Sequence, residues 1–352
     1  MALMGVVIPM ACSNTSSEFV KTMPSTPVVV SATATNAFGF TSTPTFTMQP
    51  TGTITNTPTV VTAMTGPVTL CTPNVPNGLA VNSAGTTIYV AGGDGNLSIY
   101  PITGGSAITM INQFSTTGAS FTSLSGVAID SNGNLYVLDS GGSLTSPGTV
   151  YEFGSTSGPG GPVTAITTLN NYNGVTFISP QGIAVDSNNN LYVVDTGNDV
   201  IDEFGPAPSN AVSQLMGYPG GGGDGGLNNP TGIATNGSLS AVTVFVADMG
   251  DELIQEFNPR SGAPTTQFST LPESFDPGVL GIAVDGTGDV FAADYNNGFV
   301  QDFNSTSSPG ALNAQWAPTS PPPVFGPTGV AYSGTKLYIT DYDNNAVYAV
   351  TP

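Results

Sequence analysis

The sequence predicts an all-β fold, and three observations support that prediction. Gly (45) and Pro (29) are abundant among the 352 residues, while charged residues make up only 7%, against roughly 25% in an ordinary soluble domain. Short apolar runs bounded by Gly, Asn or Pro occur throughout, as in strands joined by turns. No stretch sustains the 3.6-residue apolar period of an amphipathic helix. The apolar content of 39% is sufficient for a sizeable core.

One structural unit recurs along the chain. Each copy opens with a short apolar strand such as GIAVD at Gly182, followed by an Asx/Gly turn, a second apolar strand such as LYVVD, another turn and a third strand. A more variable segment supplies a fourth strand. The leading glycines are spaced by 48, 56, 50, 49 and 48 residues and are Gly78, Gly126, Gly182, Gly232, Gly281 and Gly329. Four antiparallel strands repeated about an axis form a propeller blade, so residues 65–352 are expected to form a six-bladed β-propeller with four-stranded antiparallel blades.

The segment GIAVDSNNNLYVVDTGN, which begins at Gly182, resembles the signature of the NHL repeat. The resemblance extends over about residues 75–352 and implies a six-bladed propeller of the bacterial kind found in secreted proteins and lipoproteins. The sequence departs from the family at the position after the second turn, where NHL repeats usually carry an Arg. Neutral or acidic residues stand there instead, namely Asp199, Glu252, Gly298 and Ala346.

The N-terminal region differs from the repeats and predicts an extended tail. Residues 1–12 form an apolar run ending at Cys12, which is typical of the end of a bacterial lipoprotein signal, with Cys12 as the lipid acceptor. The alternative is an ordinary apolar N-terminus, because Pro9 and the lack of a preceding Lys or Arg depart from such signals. Residues 13–64 are rich in Ser, Thr and Pro and indicate a flexible tether or a few extended strands.

The ring is predicted to close with strands from both ends of the repeat region. The last unit stops at Pro352, after its third strand, and therefore lacks a fourth. The segment Pro67 to Thr72 directly precedes the first unit and can supply that strand, which would bury Cys71 in a sheet. Closing the ring in this way removes exposed strand edges that would otherwise promote aggregation.

The charge balance excludes some classes of partner. Lys21, Arg260 and Lys336 are the only basic residues, against 23 carboxylates, and the net charge is −20. Nucleic acids and anionic membrane surfaces are recognised through Lys and Arg, so neither is expected to bind, and membrane attachment is expected only through a lipid on Cys12. We expect a bacterial extracellular or cell-surface location. The expected partners are a protein or carbohydrate ligand at a propeller face, or copies of the chain itself.

Carboxylates at the ends of second strands are the candidate site residues. In the predicted propeller they would ring the channel mouth on the top face, where they could bind a polyol or a cation such as Ca²⁺. They are Asp94, Asp139, Asp195, Asp248, Asp294 and Asp341. The alternative is that each accepts backbone N–H bonds of its own turn. On the opposite face, Asp130, Asp186 and Asp285 open turns that resemble the start of a calcium loop but lack its last acidic ligand.

Less regular segments are further candidates for specific recognition. They are the Gly-rich insert Tyr218 to Asp224, the long loop Tyr172 to Gln181 and the Pro-rich segment Trp316 to Phe325. Trp316 itself lies where sibling units place a fourth strand, which favours a role in core packing.

The sequence contains no His, and this absence shapes the functional prediction. Lyase mechanisms that depend on His, and any Ser-His-Asp triad, are excluded. We therefore expect a non-catalytic surface module that requires no cofactor. One alternative is a filament or adhesin subunit that donates its N-terminal segment as a strand. The other is a calcium-dependent propeller enzyme similar to the lactonases and streptogramin-type lyases.

Overall fold

The computed structural model describes residues 61–63, 68–71, 73–104, 109–111, 116–117, 121–141, 147–154, 163–169, 171–172, 175–205, 212–216, 226–238, 241–259, 264–269, 278–304, 311–317 and 325–352. The predicted lipid acceptor Cys12, most of the predicted tether and the Gly-rich insert Tyr218 to Asp224 lie outside these residues.

In the described part of the chain, two strands precede the first repeat, β1 (Val61–Ala63) and β2 (Val68–Cys71). Sheet 1 contains β3 (Pro76–Val81), β4 (Thr87–Gly92), β5 (Leu97–Pro101) and β6 (Thr109–Ile111). Sheet 2 contains β7 (Thr116–Thr117), β8 (Leu124–Ile129), β9 (Leu135–Asp139), β10 (Thr149–Phe153) and β11 (Val163–Leu169). A small hairpin of β12 (Asn171–Tyr172) and β13 (Val175–Thr176) follows.

Sheet 3 contains β14 (Gly182–Val185), β15 (Leu191–Asp195), β16 (Val200–Phe204) and β17 (Val212–Met216). Sheet 4 contains β18 (Pro230–Ser238), β19 (Ala241–Asp248), β20 (Leu253–Phe257) and β21 (Pro264–Ser269). Sheet 5 contains β22 (Val279–Val284), β23 (Val290–Asp294), β24 (Phe299–Asn304) and β25 (Ala311–Ala317). Sheet 6 contains β26 (Pro327–Ser333), β27 (Lys336–Asp341) and β28 (Ala346–Val350).

The prediction of an all-β fold is confirmed. Within the described ranges the single helical element is one 3-10 turn, Thr196–Asn198. No helix among these residues has the length and hydropathy required to cross a bilayer. The repeat strands of each sheet pair antiparallel in chain order, because tight Asx/Gly turns such as the one after Asp186 connect them.

The N-terminal strands complete sheets formed by the C-terminal repeats. Strand β2 pairs antiparallel with β28, with Val68 opposite Ala349 and Cys71 opposite Val347. The prediction that the segment Pro67 to Thr72 supplies the missing strand of the last unit is therefore confirmed. Strand β1, from the end of the predicted tether, adds to the outer edge of sheet 5 in parallel with β25.

The first strands of the sheets meet side by side in a closed ring. A methyl group added at Gly281 would lie 2.5 Å from the Thr328 carbonyl oxygen and 2.9 Å from the Gly329 Cα atom. One added at Gly329 would lie 3.1 Å from the Gly78 Cα atom, so the last repeat packs directly on the first. The leading glycines recur because inner strands at this separation leave no room for a side chain.

The core is divided into clusters that lie between neighbouring sheets. Leu138, Val193 and Phe204, for example, pack together between sheets 2 and 3. Third strands often end in a Phe that is at most 1% exposed, namely Phe153, Phe204, Phe257 and Phe303. Trp316 is also buried, with its ring centroid 5.7 Å from that of Phe291, which confirms the predicted packing role. Because every sheet contributes to two clusters, the core forms a ring around the centre of the molecule.

Candidate functional site

A cavity of about 260 Å³ lies at the centre of the ring, among the inner strands. Its walls are formed by the glycines and small apolar residues of those strands, together with neutral polar side chains. The polar residues are Asn77, Ser123, Ser125, Ser140, Gln181, Thr231 and Thr328. None of the described residues that line the cavity is charged, so these residues offer hydroxyl and amide groups for hydrogen bonding without a fixed charge.

Several of these polar side chains connect one sheet to the next. The Asn77 amide donates to the Leu124 carbonyl oxygen at 2.8 Å, and the Ser125 hydroxyl donates to the Pro180 carbonyl oxygen at 2.9 Å. The Thr231 hydroxyl likewise donates to the Val279 carbonyl oxygen at 2.8 Å. These bonds satisfy buried carbonyl groups of the inner strands and hold the cavity wall in one arrangement.

Two lining residues have side chains that no other described residue holds by a hydrogen bond. Within the described part of the chain, the side chains of Gln181 and Ser123 form no hydrogen bond with the protein. Gln181 ends the segment Phe177 to Gln181, part of the long loop that the sequence singled out as a candidate for recognition. An uncommitted amide and hydroxyl at a cavity wall provide both donors and acceptors for an oxygen-rich molecule.

The sequence-predicted carboxylates do not line this cavity. Asp139, Asp195, Asp248, Asp294 and Asp341 are all buried at the ends of second strands. Asp139 is representative: its carboxylate accepts the backbone N–H groups of Thr122 at 2.6 Å, Ser123 at 3.0 Å and Gly141 at 2.9 Å. Asp139, Asp195 and Asp341 thus join the turn after the second strand to the loop before the first.

The same arrangement extends to the first repeat, although Asp94 is exposed in a turn and accepts bonds from Asn74 and Asn96. These contacts match the expectation that the carboxylates serve their own turns. Across the described ranges, no group of three or more His, Cys, Asp or Glu side chains could hold a metal ion. Ligand binding by the predicted aspartates stays a prediction.

The turns on the opposite face also use their aspartates locally. Asp186 Oδ1 accepts the N–H groups of Asn188 and Asn190 at 2.8 and 2.9 Å, and Asp130 and Asp285 make equivalent bonds. The Tyr192 hydroxyl lies 2.9 Å from Asp186 Oδ2 and 3.1 Å from Glu203 Oε1. Burial and both carboxylates raise the pKa of Tyr192, so this hydroxyl stays protonated.

A further carboxylate, Asp202, was missed by sequence reasoning. It lies on β16, is 2% exposed, and its Oδ1 atom has no hydrogen-bond partner. Burial raises the pKa of the Asp202 carboxyl to about 7, and the nearby charge of Asp195 adds to the increase. Burial also raises the pKa of Asp195, against the opposing effect of hydrogen bonds from Asn198 and Ile178. A comparison of third strands could have identified Asp202, because sheets 4 and 5 carry Gln at the matching position.

Sheets arranged in a ring around a central polar cavity define the chain as a β-propeller. The family model for the NHL repeat matches residues 177–198, which include the loop before β14 and strands β14 and β15. The chain therefore contains an NHL repeat, as the sequence predicted. No curated protein sequence matches the chain.

Solved structures of similar fold include enzymes. A gluconolactonase from Xanthomonas campestris has 16% identity and a TM-score of 0.56, over 81% of this chain and 88% of that one. Virginiamycin B lyase from Staphylococcus aureus, a catalytically inactive form with quinupristin, has 13% identity and a TM-score of 0.56, over 82% and 98%. The calcium-binding protein regucalcin from Agrobacterium tumefaciens has 14% identity and a TM-score of 0.55, over 79% and 90%.

The expectation of a non-catalytic module is wrong in the light of these neighbours. The structures that share the fold include a lactonase and a lyase, which corresponds to the enzyme alternative that the sequence left open. The reasoning failed because the absence of His excludes only mechanisms that depend on His. It does not exclude acid–base chemistry by carboxylates or binding by hydroxyl and amide groups.

Proposed function

We propose that the chain is a six-bladed propeller enzyme of the lactonase or lyase type, acting at the central cavity on a small, uncharged, oxygen-rich substrate such as a cyclic ester. Each of sheets 1 to 6 is one blade. The observation that carries the proposal is the neutral cavity, in which an uncommitted amide and an uncommitted hydroxyl face a space of about 260 Å³. The similarity in fold to a gluconolactonase and to a lyase supports the choice of reaction class.

The charge of the protein favours a neutral substrate and an anionic product. With a net charge of −20 and no basic residue lining the cavity, the field of the protein opposes the entry of carboxylates. Opening a lactone with water converts a neutral ring into a hydroxy acid, which ionises at neutral pH. The same field then promotes departure of the product.

The described residues of the cavity wall provide groups that can bind a substrate. The Gln181 amide and the Ser123 hydroxyl can donate to the carbonyl and ring oxygens of an ester and orient it in the cavity. No described residue of the cavity wall has an acidic or basic side chain, so proton transfer would come from water or from a group outside the described lining.

Regucalcin, a structure of similar fold, is a calcium-binding protein, which raises the question of a calcium site in this chain. Ca²⁺ takes six to eight oxygen ligands, usually including several carboxylates. The cavity lining contains no carboxylate, and the aspartates nearest in sequence to it are occupied by backbone N–H groups. The described residues therefore do not fit a calcium centre, and we assign no step to the metal.

We expect the purified chain to hydrolyse neutral five- and six-membered sugar lactones, with acid release followed in a pH-stat. Gln181→Ala should reduce kcat/KM by roughly 3- to 10-fold, the effect of losing one or two neutral hydrogen bonds. Asn132→Ala removes an exposed amide from a turn on the opposite face and should leave kcat/KM unchanged.

The assay is run with added Ca²⁺ and, separately, with EDTA. Dependence on Ca²⁺ would contradict the absence of a metal step but not the reaction class. If a folded preparation consumed no lactone above the buffer rate under either condition, the proposed function would be overturned.

A further inference from the structure

In three sheets, a neutral side chain of the third strand donates a hydrogen bond to the aspartate that ends the second strand. In sheet 5, Asp294 Oδ2 accepts the Asn297 amide at 3.0 Å and the Gln301 amide at 2.9 Å. In sheet 4, the Gln255 amide donates to Asp248 Oδ2. In sheet 6, Asp341 accepts the Asn344 amide at 2.6 Å and a hydrogen bond from Tyr348.

The donors Gln255, Gln301 and Tyr348 occupy one equivalent place. Each lies seven residues after its aspartate and pairs across the sheet with the residue two before it, as Gln301 does with Ala292. All three are buried and carry a neutral donor toward a buried carboxylate. A residue at this position therefore gives the aspartate one more hydrogen bond without adding a charge.

In sheet 3 this place is taken by Asp202. It lies seven residues after Asp195 and pairs with Val193. Asp195 Oδ2 also accepts the Asn198 amide at 2.7 Å, as the aspartates of sheets 5 and 6 accept theirs. An ionised carboxylate cannot donate, and two buried anions would repel each other. A protonated Asp202, in contrast, has an O–H group that can donate as the sibling amides do.

We propose that Asp202 is a protonated positioning residue that donates to Asp195, and that its ionisation loosens the loop carrying Gln181 into the cavity. Asp195 holds that loop directly, since its Oδ1 atom accepts the Ile178 N–H at 2.7 Å. The Pro180 carbonyl oxygen of the same loop accepts the Ser125 hydroxyl from the cavity wall. The molecule thus contains a proton-dependent link between the seam of sheets 2 and 3 and the cavity.

Among the described residues, none in the surroundings of Asp202 is a cation that could stabilise its ionised form. Sheet 2 presents Tyr136 and Glu152 toward sheet 3, with the hydroxyl 3.4 Å from Glu152 Oε1. Asp195 is the other titratable group on this face, and neither β17 nor the loop Phe177 to Gln181 contains one. The one basic residue in the described part of the chain, Lys336, belongs to sheet 6.

The direction of the pH effect follows from the difference in the pKa of Asp202 between the folded and the unfolded chain. Burial holds the pKa of Asp202 near 7 in the folded protein, against 3.8 for the unperturbed group. The protonated Asp202 contributes its full stabilisation below pH 3.8, the pKa of the unperturbed group. This stabilisation is lost as the pH rises toward about 7. Above that pH the loss is complete and no further change is expected from this residue.

The test compares the thermal unfolding of the full chain and of Asp202→Gln between pH 4.5 and pH 8. The variant installs the amide that sheets 4 and 5 use at this place. We expect Tm of the wild type, relative to the variant, to fall by about 2 to 4 °C for each pH unit up to about pH 7. Infrared spectra at pH 6 should also show a protonated carboxylic C=O band that is weaker in Asp202→Gln, while Asp248, whose pKa burial raises to about 6, contributes to the band in both proteins.

The converse variant keeps the proposal testable if Asp202→Gln fails to fold. Gln255→Glu introduces a carboxyl group at the equivalent place in sheet 4 and should create a new fall in Tm with rising pH. Parallel Tm profiles for the wild type and Asp202→Gln, or a carboxylic band of equal intensity in both proteins, would overturn the proposal. Because these measurements need no substrate, their failure is distinguishable from failure of the proposed lactonase activity.

Discussion

Replacing Gly281 with alanine is expected to reduce the free energy of unfolding by about 3 kcal/mol, the upper end of the usual cost of overpacking. The added methyl group would lie 2.5 Å from the Thr328 carbonyl oxygen and 2.9 Å from the Gly329 Cα atom. Both are backbone atoms of a neighbouring inner strand, so no side-chain rotation can relieve the contact. The closed ring also prevents one strand from moving away without displacing the next.

The matched control is Gly286→Ala, in the turn that follows the same strand. A methyl group at Gly286 has no atom within 4 Å, and its backbone is not in the left-handed region. This variant should be neutral or stabilised by about 0.5 kcal/mol through the unfolded state. Urea unfolding measures the difference in free energy of unfolding between the two variants. Equal losses of stability would show that the inner strands can move apart to admit a methyl group.

Removing residues 1–72 is expected to destabilise the propeller by roughly 3 to 5 kcal/mol, at about 1 kcal/mol for each backbone hydrogen bond lost and some for newly exposed apolar surface. The deletion removes β2, which pairs with β28 in sheet 6, and also β1, which pairs with β25 in sheet 5. It also leaves β28 as an open edge, so self-association should appear in light scattering. Thermal unfolding and light scattering measure the two effects.

A shorter deletion, of residues 1–57, provides the control because it retains both β1 and β2. It should unfold at the temperature of the full chain. Adding a peptide of residues 65–74 to the longer deletion should restore part of the lost stability by supplying the strand in trans. The assignment of β2 as the closing strand would be wrong if both deletions unfolded alike.

Much of the fold could be predicted because its causes are local and repeated. Gly182 and its counterparts begin every repeat since the inner strands approach too closely for a side chain, and that requirement is visible at each spacing. The pairing of the segment Pro67 to Thr72 with the last repeat followed from counting strands. In contrast, the parallel addition of β1 to β25 depends on an outer edge that no sequence pattern marks.

The candidate site was harder to predict because its features depend on exceptions to the repeat. The recurrent aspartates attracted attention, yet Asp139 is occupied by the backbone of its own loops. The cavity is lined by neutral residues such as Gln181 and Ser123, which are too common in this sequence to be distinctive. Asp202 becomes noticeable only when strand pairing aligns it with Gln255 and Gln301.

The pairing of β2 with β28 has a consequence for the order of events during protein synthesis. The partners lie about 280 residues apart in the chain, so β2 leaves the ribosome long before β28 exists. At a translation rate of about 5 to 20 residues per second, the wait lasts on the order of 15 to 60 seconds. During that time the nascent sheets can form one after another, but the ring cannot close. The pairing of β2 with β28 is therefore among the last steps of folding, and a chaperone that shields the segment around β2 is expected to raise the yield.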